Sequence, residues 1–195
     1  MGLTQAKTYG SVGAILSILG GNIPRVGNLI SIIGVVLILL AVKEISLAVN
    51  REDIFKDYLV AFILHLGAFF VFLIALVSVI GITVLQGIFW NLAEKELESL
   101  GQIIKGLLIG GILAWILFVL GSYYLKKSYE SISIETEVGI FRTTGLLYFI
   151  GAILLIVFGI GALLIIIGKI FEIIAYLSLP ENIKKYDGTW RLRDG

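Results

Sequence analysis

The sequence predicts an all-α, polytopic membrane protein of six helices arranged as three repeated helical hairpins. Three observations carry that prediction. Of 195 residues, 58% are hydrophobic and 15% charged, against roughly half and about 25% in soluble domains. The charges fall between long apolar runs, and the mean hydropathy is +1.04. Segments near the two ends of the chain also echo one another.

A crossing needs about 20 apolar residues to cover about 30 Å of hydrocarbon. The first run, Thr8 to Val49, is too long for one helix. "GGNIPRVGN" (Gly20 to Asn28) interrupts it with Gly, Asn and Pro, which break helices and form turns. Hairpin 1 therefore spans about 9–49. "MGLTQAKTYG" lacks the basic flank and cleavage site of a signal peptide, so its first helix is expected to be retained. Tyr58 to Leu85 and Ile103 to Leu125 each qualify as a span and form hairpin 2, about 57–127. Between them, "NLAEKELESLGQIIK" (Asn91 to Lys105) has a capped start and apolar residues at helical spacing. It predicts an external amphipathic helix, with Phe89 and Trp90 as interface anchors. Thr143 to Leu179 is again too long for one crossing and is cut at "FGIG" (Phe158 to Gly161), giving hairpin 3, about 143–179.

The cut follows the repeat. "GAILSIL" from Gly13 matches "GAILLIV" from Gly151, and "VGNLISIIG" from Val26 matches "IGALLIIIG" from Ile160. "IFK" (Ile54 to Lys56) and "IFR" (Ile140 to Arg142) echo one another in the linkers. A central copy, from Gly67 and Ile112, is fainter. Helices 1 and 5 are short, and the residues leave open whether they cross fully or dip in and return as re-entrant elements.

Charge sets the orientation. Six crossings put Lys7, Lys43, Arg51, Lys56, Lys126, Lys127, Arg142, Lys184, Lys185, Arg191 and Arg193 on one side, and only Arg25, Lys95 and Lys105 on the other. Basic residues favour the cytoplasm, so both termini are expected there, in a cell-membrane protein. Residues 1–181 form a single transmembrane domain and 182–195 a cytoplasmic tail. That tail alternates around Asp187-Gly188, a hairpin signal if lipid or a partner orders it.

The chemistry available is limited. A net charge of +1 and the lack of a basic block predict no nucleic-acid partner, and zero cysteines exclude disulfides and thiolate sites. One His and no carboxylate cluster at ligand spacing predict no metal site, and no cofactor motif or catalytic constellation is present. The chain is thus expected not to be an enzyme. Gly27, Gly34, Gly106, Gly110, Gly161 and Gly168 recur at spacings that let helices approach closely.

One feature resists the packing explanation. "LIIIGKIFEIIAYL" (Leu164 to Leu177) carries Lys169 and Glu172 inside a crossing. A charge at mid-bilayer costs roughly 2.5–3.5 kcal/mol. The i,i+3 spacing lets the two pair, and His65 lies at matching depth on helix 3. These three form the candidate intramembrane polar site.

"VGNLISIIGVVLILLAVKEIS", the "IF[K/R]" linkers and "YLSLPE" (Tyr176 to Glu181) resemble an archaeal family of integral membrane proteins, domain of unknown function 996. The resemblance covers about Tyr9 to Glu181. It implies an archaeal membrane protein and brings no catalytic residue or substrate. The expected role is structural or partner-binding, in the lipid bilayer, with a homo-oligomer or another membrane protein as partner. The alternative is a small proton- or solute-linked transporter or channel using Lys169, Glu172 and His65.

Overall fold

The structure, a computed structural model, describes residues 3–20, 23–89, 96–157 and 159–181. Its helices are α1 (Thr4–Gly20), α2 (Gly27–Val49), α3 (Glu52–Phe89), α4 (Glu96–Thr136), α5 (Gly139–Leu154) and α6 (Ile160–Leu177). No strand occurs among the described residues. Four stretches are long and apolar enough to cross a membrane: Gly27–Val49, Glu52–Gly81, Ile104–Thr136 and Ile160–Leu177. The expected tail hairpin around Asp187, and Trp90 and Asn91, lie outside the described residues.

The long apolar runs break where glycine and proline predict. Hairpin 1 turns through Ile23 to Val26, with Arg25 at φ 68°. Hairpin 3 turns after Leu154 and re-enters a helix through Gly159 at φ 74°, a conformation glycine adopts without a Cβ penalty.

The helix ends are less well predicted from charge. α1 starts at Thr4 and α5 at Gly139, both earlier than the apolar boundary. The charged segments 43–57 and 126–142, which the charge bias places outside the hydrocarbon, are mostly helix, linked only by Asn50–Arg51 and Glu137–Val138. Leaving the hydrocarbon does not stop a helix; a conformational breaker does. Lys56–Glu52 and Lys126–Glu130 pairs at i,i+4 support these polar turns. The breaks come at Asn50 (φ 57°) and Glu137 (φ 58°), both left-handed. The separate external helix at Asn91 to Lys105 is corrected too. From Glu96 onward it is the start of α4, whose 41 residues run unbroken for about 61 Å.

Each helix packs on its neighbours in sequence, and α6 closes the ring against α1. The closing contact includes the Leu3 N–H donating to the Glu181 carbonyl (2.8 Å) and Lys7 Nζ to the Leu179 carbonyl (3.2 Å). Both described ends of the chain therefore lie at the same end of the bundle as the two interhelical linkers. Ion pairs concentrate there: Arg51 with Glu135 (2.9 Å), Lys127 with Asp57 (3.1 Å) and Arg142 with Glu130 (3.4 Å).

The buried faces of α2 and α6 share a spacing. Gly27, Gly34, Ile38, Ala41, Val42 and Ile45 are buried on one, and Gly161, Gly168, Glu172, Ala175 and Tyr176 at the same intervals on the other, with Leu179 just past its end. On α4 the same intervals bury Ala114, Gly121, Ser128, Tyr129 and Ile132. Close approaches follow the glycines. A Cβ on Gly34 would lie 2.7 Å from the Gly13 carbonyl oxygen, one on Gly27 1.9 Å from that of Gly20, and one on Gly161 2.0 Å from that of Gly151. Gly110 meets Ala75 and Gly168 the Tyr148 ring, whereas Gly106 has open space beside it.

Candidate functional site

Glu172 is the centre of the site. It lies on the buried face of α6 with Gly168, Ala175 and Tyr176. Lys169, three residues earlier, donates to Oε2 at 3.0 Å. Tyr148 of α5 donates its hydroxyl to the same oxygen at 2.8 Å. Tyr129 of α4 donates a short hydrogen bond to Oε1. The carboxylate is thus held by an ammonium and two phenols, and hydrogen bonds to an ionised group are roughly twice as strong as neutral ones.

Small residues bring those donors together. A Cβ on Gly145 would stand 2.9 Å from the Lys126 backbone and 3.3 Å from Tyr129 Cβ, so its absence lets α5 close on α4. The Tyr148 ring sits over Gly168, 3.1 Å from where a Cβ would be, and Lys169 Nζ lies 5.7 Å from that ring's centroid. Around the carboxylate runs an aromatic chain: Tyr58 to Tyr129 (6.1 Å), Tyr129 to Phe141 (5.6 Å) and Phe141 to Tyr176 (5.1 Å). Tyr176 fills the space Gly10 leaves on α1. Its hydroxyl is buried and makes no geometrically satisfactory hydrogen bond.

The two members of the pair differ in exposure. The Glu172 side chain is 3% exposed and that of Lys169 33%. Lys169 therefore connects the buried carboxylate to the surface of the bundle.

His65 is held against α4, within electrostatic range of Lys169. Its Nε2 pairs with Ser122 Oγ at 3.1 Å, and its ring lies 4.8 Å from that of Phe118. Gly121 makes room for it, since a Cβ there would come within 2.9 Å of the imidazole. The structure therefore brings Lys169 and Glu172 together and hydrogen-bonds His65 to α4, with Lys169 near enough to act on it electrostatically. Residue reasoning missed Tyr129 and Tyr148. The available signal was the need of a buried carboxylate for donors, and of phenols inside aliphatic helices for acceptors. Among the described residues no cluster of His, Asp and Glu is arranged to hold a metal ion.

A family model described as a protein of unknown function, DUF996, matches residues 30–170. An uncharacterized protein of the archaeon Methanocaldococcus jannaschii is 41% identical over 184 residues, covering 94% of this chain and 97% of its own. No solved structure matches.

Proposed function

The chain belongs to the DUF996 family, and on that premise we propose that it is a structural or partner-binding membrane protein rather than an enzyme. One observation carries this reading. Both Glu172 oxygens are engaged, by donors from α4, α5 and α6. A carboxylate saturated in this way joins helices from two hairpins and fixes their register. The buried intervals shared by α2, α4 and α6 support an internal repeat in which Glu172 replaces the Ile38 of the first copy. The excess of basic residues at the end holding Leu3 and Glu181 supports cytoplasmic termini. The partner is a second copy or another membrane protein.

Reconstitution in liposomes tests the role. The structural reading predicts no proton or solute flux above that of empty liposomes, together with loss of stability in Glu172→Gln. A second reading, a proton- or solute-linked transporter, is favoured by the partly exposed Lys169 beside its buried partner. Flux that disappears in a Glu172→Gln variant of unchanged fold would replace the first reading with the second.

A further inference from the structure

Hairpin 2 is much longer than its neighbours, and one hydrogen bond measures by how much. Trp115 Nε1 on α4 donates to the Ala152 carbonyl at 2.9 Å, two residues before α5 ends. The hairpin 3 turn is therefore level with about Leu113. From there back to Glu96, α4 continues for about 26 Å. Hairpin 1 ends near the same level: Gly10 of α1 meets the Tyr176 ring of α6, which puts Gly20, about 15 Å further on, within about two turns of Ile160 on α6. Beyond that level, among the described residues, α3 and α4 continue as a pair. Ile74, Val77, Leu108, Ile109 and Ile112 are all exposed there.

Charge places the bilayer along this long hairpin, with the Tyr129–Glu172 contact at its near boundary rather than at mid-bilayer. On α4 no charged residue stands between Lys105 and Lys126, a separation of about 32 Å, close to one hydrocarbon thickness. Lys126 belongs to the ionic end of the bundle, and the sequence beyond Lys105 toward Asn91 is polar. If the hydrocarbon lies between these two lysines, the turns of hairpins 1 and 3 end about 12 Å short of the far surface. Placing the bilayer on the short hairpins instead would leave an apolar two-helix arm bare in water.

We infer that hairpins 1 and 3 enter the membrane to only part of its depth, and that Arg25 at the hairpin 1 turn draws lipid phosphate down to it. Arg25 is exposed at that turn, and Asn28 beside it is exposed too. A guanidinium at this depth reaches a phosphate by extending its side chain toward the far surface while that leaflet dips to meet it, the response expected where a hydrophobic element is too short for its bilayer. The hairpin 3 turn, "LIVFGIG" (Leu155 to Gly161), carries no charge and stays in acyl chains. The membrane over hairpin 1 is therefore locally thinned against the full-length wall of α3 and α4. The ligand is a phospholipid headgroup.

The chain has no cysteine, so single nitroxide labels report position without background. In phosphatidylcholine–phosphatidylglycerol liposomes, labels at Leu108→Cys and Ile156→Cys should collide with oxygen far more than with a water-soluble nickel chelate. A label at Ile23→Cys should meet the chelate, although Leu108 lies nearer the far surface. Adding Arg25→Leu should cut chelate access at residue 23 several-fold and leave residue 108 unchanged. Chelate access at 108 or 156 would mean that the short hairpins cross fully. Protection of 108 from both reagents would mean a protein partner covers the arm. Unchanged access at 23 after Arg25→Leu would remove the phosphate contact. Any of these overturns the inference, and none bears on flux or on the stability role of Glu172.

Discussion

The two ends of the bundle solve opposite problems. At the closed end, six helices meet, phenols and charges are buried, and Glu172 has three donors. At the other end, among the described residues, only α3 and α4 continue, with apolar side chains facing outward. In lipid, apolar burial gives little net drive for helix association, so specificity must come from close packing and polar contacts. The closed end has both. In the far half of hairpin 2, Gly110 packs against Ala75, while Gly106 and Gly111 face open space. The difference teaches that here apolarity places a helix in the membrane, while small residues and one polar network decide what it packs against.

That contrast predicts a steep gradient of mutational cost. The largest effect belongs to Glu172→Leu, which strips three donors of their acceptor and should destabilise the folded state by about 3–5 kcal/mol, measured as thermal unfolding in detergent. Tyr148→Phe and Tyr129→Phe each remove one donor from the carboxylate and should cost about 1–3 kcal/mol. Gly161→Ala places a methyl within 2.0 Å of the Gly151 carbonyl oxygen. It should cost about 1–3 kcal/mol through overpacking, with hairpin 3 the first segment to gain hydrogen exchange. At the small end, Ile109→Ala on the far half of hairpin 2 should change stability by no more than about 0.5 kcal/mol. A cost at Ile109 similar to that at Gly161 would erase the distinction between the two ends.

Much of this was legible in the residues, for reasons that also mark the limits. Lys169 and Glu172 stood out because each is a charge in an aliphatic run, and their i,i+3 spacing fixes both depth and azimuth on one helix. His65 was matched to them by depth alone. Depth gives the coordinate along a helix and not the hydrogen-bond partner: His65 bonds to Ser122 while lying within electrostatic range of Lys169. Tyr129 was hidden by its surroundings: "KKSYES" is polar, and there a tyrosine looks like an interface residue. Its helix runs through that segment because the first breaker is Glu137. The same continuation moved the start of α5 from Thr143 to Gly139, since Arg142 marks a change of solvent and not the end of a helix. The turn at Gly159 was legible because its glycine has a backbone reason to be there.

The most direct test of the account is the coupling between Lys169 and Glu172. Their contact is 3.0 Å long, and Glu172 keeps two phenol donors when the lysine is lost. Thermal and denaturant unfolding of Lys169→Leu, Glu172→Leu and the double variant in one detergent measures it. The account predicts that Glu172→Leu is the more damaging single change. It also predicts that the double variant is more stable than the sum of the singles implies, by about 0.5–3 kcal/mol. Additive losses, or a Lys169→Leu variant less stable than Glu172→Leu, would contradict the claim that this carboxylate network locks the closed end.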